Sequence, residues 1–115
     1  IDAALSAEGA TVELLDTLEH AGPYGAGHPA PILVLARHRI IDIRVVGNGH
    51  MRVGLRSEMG GSLQAMAFRA ENMALGAFLA ANRGQTVHVA GTLSSNFWNG
   101  RRSAQFRIAD AAAVT

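Results

Sequence analysis

The sequence has no cysteine, no lysine, three prolines and six aromatic residues. Without cysteine there is no disulfide scaffold and no thiolate metal site. No apolar run reaches the roughly 20 residues of a transmembrane helix. The start, Ile1-Asp2-Ala3, is acidic where a signal peptide is basic. The expectation is a cytoplasmic protein with no membrane partner. The first residue is Ile rather than Met, so the chain is read as a piece of something larger. Its 115 residues hold one domain of ordinary size, and 49% hydrophobic content is enough for a packed core.

The absence of lysine makes every fixed cation an arginine. A GC-rich coding sequence enriches Ala and Arg and depletes Lys together, which accounts for the residue type but not for its placement. The formal net charge of +1 averages two unlike regions. Residues 1–24 carry Asp2, Glu8, Glu13, Asp16 and Glu19 and no Arg, a charge of −5. Residues 25–115 carry all ten arginines against Asp42, Glu58, Glu71 and Asp110, a charge of +6. A basic body behind an acidic leader points to a polyanionic partner.

Val12, Leu15 and Leu18 recur every three residues, with Leu14 beside them and acids opposite, which predicts a helix over Thr11 to Ala21. Asp2 to Ala10 shows no period. Residues 22–31 hold all three prolines and three glycines, a connector or turn. The expected organisation is 1–31 as a linker helix and connector from an upstream region, and 32–115 as the domain proper.

After Pro31 the pattern turns to strands. Ile32 to Val46 is long and β-branched, and its Ile40-Ile41 doublet predicts a bulge where the inward face switches. Here Ile41, Ile43 and Val45 alternate against Asp42 and Arg44. Gly47-Asn48-Gly49 predicts a tight turn, followed by a strand with Met51, Val53 and Leu55 inward. Glu58 to Gly61 is a second turn and Ser62 to Phe68 a third strand of ambiguous face. Glu71 to Asn82 reads as a helix with an acid in its first turn, an apolar side that includes Met73, and Arg83-Gly84 at its end. Thr86 to Ser94 is a fourth strand, Asn96 to Gly100 a loop, and Ser103 to Ile108 a fifth strand, extending as far as Val114. Three strands, a helix and two strands is the order of a five-stranded OB-fold barrel, with the helix between strands 3 and 4 and a short helix in front. A generic α+β domain with an open antiparallel sheet is the alternative.

Alternation turns Arg44, Arg52, Arg56 and Arg107 outward, and Arg101 and Arg102 follow the aromatic loop. A basic barrel surface suits a nucleic-acid backbone, although any single exposed Arg equally solvates a barrel. Phe97 and Trp98 form an aromatic pair at a loop tip. Exposed rings stack on bases, whereas a ring that folds back plugs the barrel, and the pair is expected to divide between the two. Phe68, Phe78 and Phe106 read as core. The histidines (His20, His28, His38, His50, His88) have no metal-ligand spacing, and no nucleophile triad or carboxylate pair stands out. No cofactor is expected in the chain itself.

Three segments, in order, resemble the RecJ family of single-strand-specific exonucleases. Pro23-Tyr24-Gly25-Ala26-Gly27-His28-Pro29-Ala30-Pro31 resembles its Pro-aromatic-Gly-x-Gly-Asn-x-x-Pro linker, with His28 where the family usually has Asn. Val46-Gly47-Asn48-Gly49-His50-Met51-Arg52 is similar to its Gly-x-Gly-His-Leu-Lys hairpin, with Arg52 keeping the charge. Asn96 to Asp110 resembles its Asn-x-Trp-x-Gly-Arg…Gln-Leu-x-Ile-x-Asp segment. The resemblance implies a noncatalytic, single-stranded-DNA-binding OB domain of a 5′ to 3′ exonuclease of repair and recombination. It also implies upstream DHH-type nuclease domains that carry Mg²⁺ or Mn²⁺, so the chain alone is expected to be inactive. Docking on the nuclease core or on another repair protein, and a free-standing OB protein, are the other readings.

Overall fold

The computed structural model describes residues 3–20 and 30–114. The Gly/Pro connector, with Tyr24 and His28, lies outside the described residues, as does the side chain of His20. The elements are β1 (Ala3–Leu5), a 3-10 turn (Ala7–Gly9), α1 (Val12–His20), β2 (Leu33–Val46), β3 (His50–Arg56), β4 (Ser62–Ala67), α2 (Ala74–Ala81), β5 (Thr86–Trp98) and β6 (Arg101–Ala113).

β2 pairs antiparallel with β5 through Leu33–Arg39 and with β3 through Arg39–Val46. β3 pairs with β4, and β5 with β6. A short parallel contact, Ala65 with Phe106 and Met66 with Arg107, joins β4 to β6 and closes the ring. This is the five-stranded OB barrel, with α2 between its third and fourth strands. Its interior is built by alternation. Met51, Val53 and Leu55 from β3, Ala65 and Ala67 from β4, Val87, Val89 and Leu93 from β5, and Phe106 and Ile108 from β6 are all buried. Each large side chain so enclosed contributes about 1.5–3 kcal/mol.

Three bulges bend the ladders. The expected one separates Ile40 from Asp42. Ile40 is the inward residue, fully buried, while Ile41 is only half-buried and lies against Gly54. Of the three residues assigned to the alternating apolar set, Ile43 packs on the core and Val45 is exposed. A second bulge lies between Leu35 and His38, where Arg37 takes φ 53°. The third, at Ala90/Gly91, brings the Arg107 carbonyl against the Gly91 backbone, where a Cβ would collide with it.

Four expectations need correction. The segment before α1, which has no period, contains β1, paired parallel with β2 at Leu33–Leu35. Three residues and one turn are too short to establish a period. Helix α2 begins at Ala74 rather than Glu71. The Glu71 N–H instead donates to the Gly49 carbonyl at 3.1 Å, so the acid sits over the β2–β3 turn, and Met73 is exposed. Asn96–Gly100 is not a five-residue loop. The strands run on to Trp98 and resume at Arg101, leaving Asn99-Gly100 as a two-residue turn with φ of 50° and 70°. Those positive angles are the reason Asn-Gly is favoured there. Phe68 is partly exposed, not core.

The N-terminal segment is built into the barrel. Leu15 is buried in the main core cluster. Thr11 Oγ1 accepts the Leu14 N–H at 3.1 Å and caps α1. Buried His38 accepts the Ala7 N–H at Nε2 (3.0 Å), while its Nδ1 lies 2.8 Å from the Ala36 carbonyl. The second contact needs the proton on Nδ1, so the two bonds together fix the neutral tautomer. Glu8 accepts from Ser57 Oγ (2.5 Å) and the Gly61 N–H (2.7 Å), clamping the β3–β4 turn.

Two outcomes follow. Gly91→Ala should destabilise the domain by about 3 kcal/mol, at the upper end of overpacking costs because the obstruction is backbone; a urea melt reads it as a lower midpoint. The Ser57 hydroxyl, then the backbone N–H groups of Glu8 and Gly61, hold the Glu8 carboxyl below its ordinary value. Its contribution is therefore complete above the unfolded-state value near 4.3 and is lost as pH falls through the lowered folded one. In acid titrations, Glu8→Gln should be less stable than the parent at pH 6 and should lose less stability on acidification.

Candidate nucleic-acid interface

The outward residues of β3, β4 and β6 and the far end of β5 share one surface. In β6 the inward Phe106 and Ile108 turn Arg101, Ser103, Gln105 and Arg107 outward. Their cross-strand partners are Trp98, Asn96, Ser94 and Thr92 of β5. In β4 the outward residues are Gln64 and Met66, next to Gly54 and Arg52 of β3. Between these strands runs an open groove of ≈ 670 Å³, lined by Arg52, Gln64, Met66, Asn96, Trp98, Arg101, Ser103 and Gln105. It offers two guanidinium groups, several uncharged hydrogen-bonding groups and one indole.

Trp98 is 73% exposed and Phe97 70%. Neither plugs the barrel, contrary to the expected division of the pair. Successive strand residues point to opposite sides. Trp98 therefore faces the groove beside its partner Arg101, and Phe97 faces away, opposite Arg102. At the groove margin Arg107, level with Met66 in the ladder, places its guanidinium 4.3 Å from the Phe68 ring centroid. His50 meets the same ring edge-on at 5.2 Å. This stack gives Phe68 a reason to lie at the surface.

The other arginines named from the sequence divide. Arg44 lies directly opposite Arg52 and reaches Asp42 at 3.9 Å. Arg56 lies on the same outward face as Arg52 but outside the groove, in a recess with Arg39 and Arg83. Arg102 points away from the groove and pairs with Asp16 at 2.7 Å and Glu19 at 3.5 Å. The hydrogen bond from Asp16, then the charges of Asp16 and Glu19, raise its already high pKa against the opposing effect of burial. Its charge is committed to holding α1. The structure thus gathers Arg52, Trp98 and Arg101, adds Arg107 at the margin, and sets Phe97 and Arg102 on another side.

Sequence reasoning missed Gln64, Met66, Asn96, Ser103, Gln105 and Phe68. The outward alternation of Gln105 was visible; the face of β4 was not, because Ser62 to Phe68 has small or apolar residues on both sides. Among the described residues, no three His, Asp or Glu side chains are grouped to hold a metal ion, so the residues present do not fit a divalent-metal centre. Nor is any helix among them long and apolar enough to cross a membrane.

A closed barrel of this topology, with an open polar and aromatic groove over its second and third strands and the tip of its last hairpin, is an oligonucleotide/oligosaccharide-binding domain. The chain belongs to the RecJ OB domain family, whose model matches residues 1–110. It is 26% identical over 114 residues to the single-stranded-DNA-specific exonuclease RecJ of Bacillus subtilis (strain 168), a match that takes in 97% of this chain and 14% of that protein. The crystal structure of RecJ in complex with Mn²⁺ from Thermus thermophilus superposes with a TM-score of 0.63 at 26% identity, over 90% of this chain and 14% of that one. The Mg²⁺ complex from the same organism gives 0.62 at 24% identity, over 90% and 15%, and shows the fold alone. The chain thus spans about a seventh of the length of these relatives.

Because Trp98 is exposed and packs on nothing in the core, Trp98→Ala should change stability by less than about 0.5 kcal/mol. Arg102→Ala should cost more, since it leaves Asp16 and Glu19 of α1 without their shared cation. Parallel thermal melts of the two variants check both.

Proposed function

We propose that this chain is a noncatalytic single-stranded-DNA-binding OB domain of a RecJ-like 5′ to 3′ exonuclease of repair and recombination. The observation that carries the reading is the exposed indole of Trp98 in a groove that also holds Arg52 and Arg101. An indole stacks on any base, and arginines contact phosphates without regard to sequence, so the groove suits a substrate defined by being single-stranded. Family membership and the name of the B. subtilis relative support this substrate. Arg107 and Arg44 border the groove and add charge. Arg56 lies beyond it, and Phe97 and Arg102 belong to the side that faces α1.

Phosphodiester cleavage with Mg²⁺ or Mn²⁺ belongs to DHH-type domains elsewhere in the parent protein, in the cytoplasm. The OB domain's part is to hold the strand as it enters the nuclease. A second reading, a module that docks on the nuclease core or another repair protein, is favoured by a shallow apolar groove of ≈ 400 Å³. Val34, Ala36, Val89, Ala90, Ala111 and Ala112 line it on the β2–β5–β6 side.

Oligothymidine titrations followed by the fluorescence of Trp98, the single tryptophan, test the first reading. Binding should be weak and should fall with salt. The slope of log K against log salt should be about −2, if Arg52, Arg101 and Arg107 each meet one phosphate at about 0.7 per contact. Trp98→Ala, read by anisotropy of labelled DNA, should cost about 1–3 kcal/mol for the missing stack. No binding at low salt would remove the reading for the isolated domain. Cleavage of the oligonucleotide with added Mn²⁺, copurifying with the chain, would overturn its noncatalytic part.

A further inference from the structure

Three arginines converge outside the groove. Arg39 of β2, Arg56 of β3 and Arg83, after α2, line an open recess of ≈ 540 Å³ together with Ile40, Ile41 and Gly84. Among the described residues, no acid lines it. Arg39 and Arg56 are direct cross-strand partners on the outward face, an arrangement of like charges that is unfavourable in an antiparallel pair. Arg39 Nε donates to the Gly84 carbonyl at 3.1 Å, which holds this guanidinium at the rim with its two terminal NH₂ groups uncommitted to that bond. The acid that reaches this set is Asp42, which is 3.9 Å from both Arg83 and Arg44 and about half exposed. One carboxylate shared at that distance does not neutralise three guanidinium groups.

The bulge at Ile41 creates this convergence. It lets Arg39 and Asp42 both face outward, and it lays Ile41 over Gly54. Arg52, in the groove, and Arg56, in the recess, are four residues apart on one face of β3. At roughly 3.3 Å per residue they stand about 13 Å apart. Gly54 and Ile41, with Asp42 at the side, lie between them.

We propose that the Arg39–Arg56–Arg83 recess is a phosphate-binding site, separate from the Trp98 groove, that receives a backbone phosphate of the DNA strand beyond the segment stacked on Trp98. Planar guanidinium forks suit the tetrahedral oxygens of a phosphate group, and bidentate contacts fix its position. The unfavourable Arg39–Arg56 pairing becomes favourable once an anion sits between the two. The site rests on the DNA-binding reading for its source of phosphate but not for its chemistry.

Amide NMR of the whole chain tests both. Ile40 and Gly84 report on the recess, Asn96 and Ser103 on the groove, and the ligands are inorganic pyrophosphate and a long oligothymidine. Pyrophosphate should shift the recess amides and leave the groove amides in place. The oligonucleotide should shift both sets. In an Arg39→Gln/Arg83→Gln variant the recess shifts should vanish with either ligand while the groove shifts persist. The salt slope for the oligonucleotide should then fall by about 1.4, or about 0.7 for each arginine removed. Groove shifts without recess shifts overturn the proposal and leave the DNA-binding reading intact. No shift with DNA anywhere, but recess shifts with pyrophosphate that the variant abolishes, overturns the DNA source and keeps a site for free phosphate. No recess shift with either ligand overturns the site.

Discussion

Barrel closure requires β2 to hydrogen-bond β5 through its first half and β3 through its second. A sheet of five strands curls shut only if one strand bends enough to serve both neighbours. The bend is made by two bulges within a few residues, at Leu35/His38 and Ile40/Asp42. From these the outer surface follows. The first bulge places His38 inward, where its ring ties Ala7 to the barrel. The second keeps Ile40 in the core and turns Arg39, Asp42 and Arg44 to the same side, against Arg56, Gly54 and Arg52. A strand without the second bulge would bury Arg39 or expose Ile40, because a one-residue slip exchanges the two faces.

The acidic leader and the basic barrel are not two independent charge blocks. Asp16 and Glu19 of α1 meet Arg102, and Glu8 clamps the β3–β4 turn. These contacts settle the N-terminal segment on the side of the β5–β6 hairpin away from Trp98. One positive charge is thereby withdrawn from the surface, and the hairpin is held from behind while its other side stays open. Arg101 and Arg102, adjacent and chemically identical, consequently have opposite circumstances. One lines an open groove and the other is half-enclosed by carboxylates.

Strand order, the inward residues of β3 and β5, the Ile40-Ile41 bulge and the Gly47–Gly49 turn were all legible, because period-two alternation and turn chemistry act within a few residues. The length of the β5–β6 hairpin was also available in Asn99-Gly100, a two-residue turn signal obscured by the aromatic pair before it. The start of α2 was not, since Glu71 is drawn to the Gly49 carbonyl, a partner distant in sequence. Phe68 misled because hydrophobicity predicts burial and not a surface stack under Arg107.

By itself, then, the sequence determined the barrel's topology, its core, and the outward set of arginines with an aromatic pair near them. Those follow from local alternation, which any strand imposes on its own side chains. The tertiary structure alone decided which arginines face a common ligand, that Trp98 and not Phe97 joins them, and that Arg102 is held by α1. Those depend on register between strands and on the docking of a helix dozens of residues away. Neither is set by the spacing of residues along one strand.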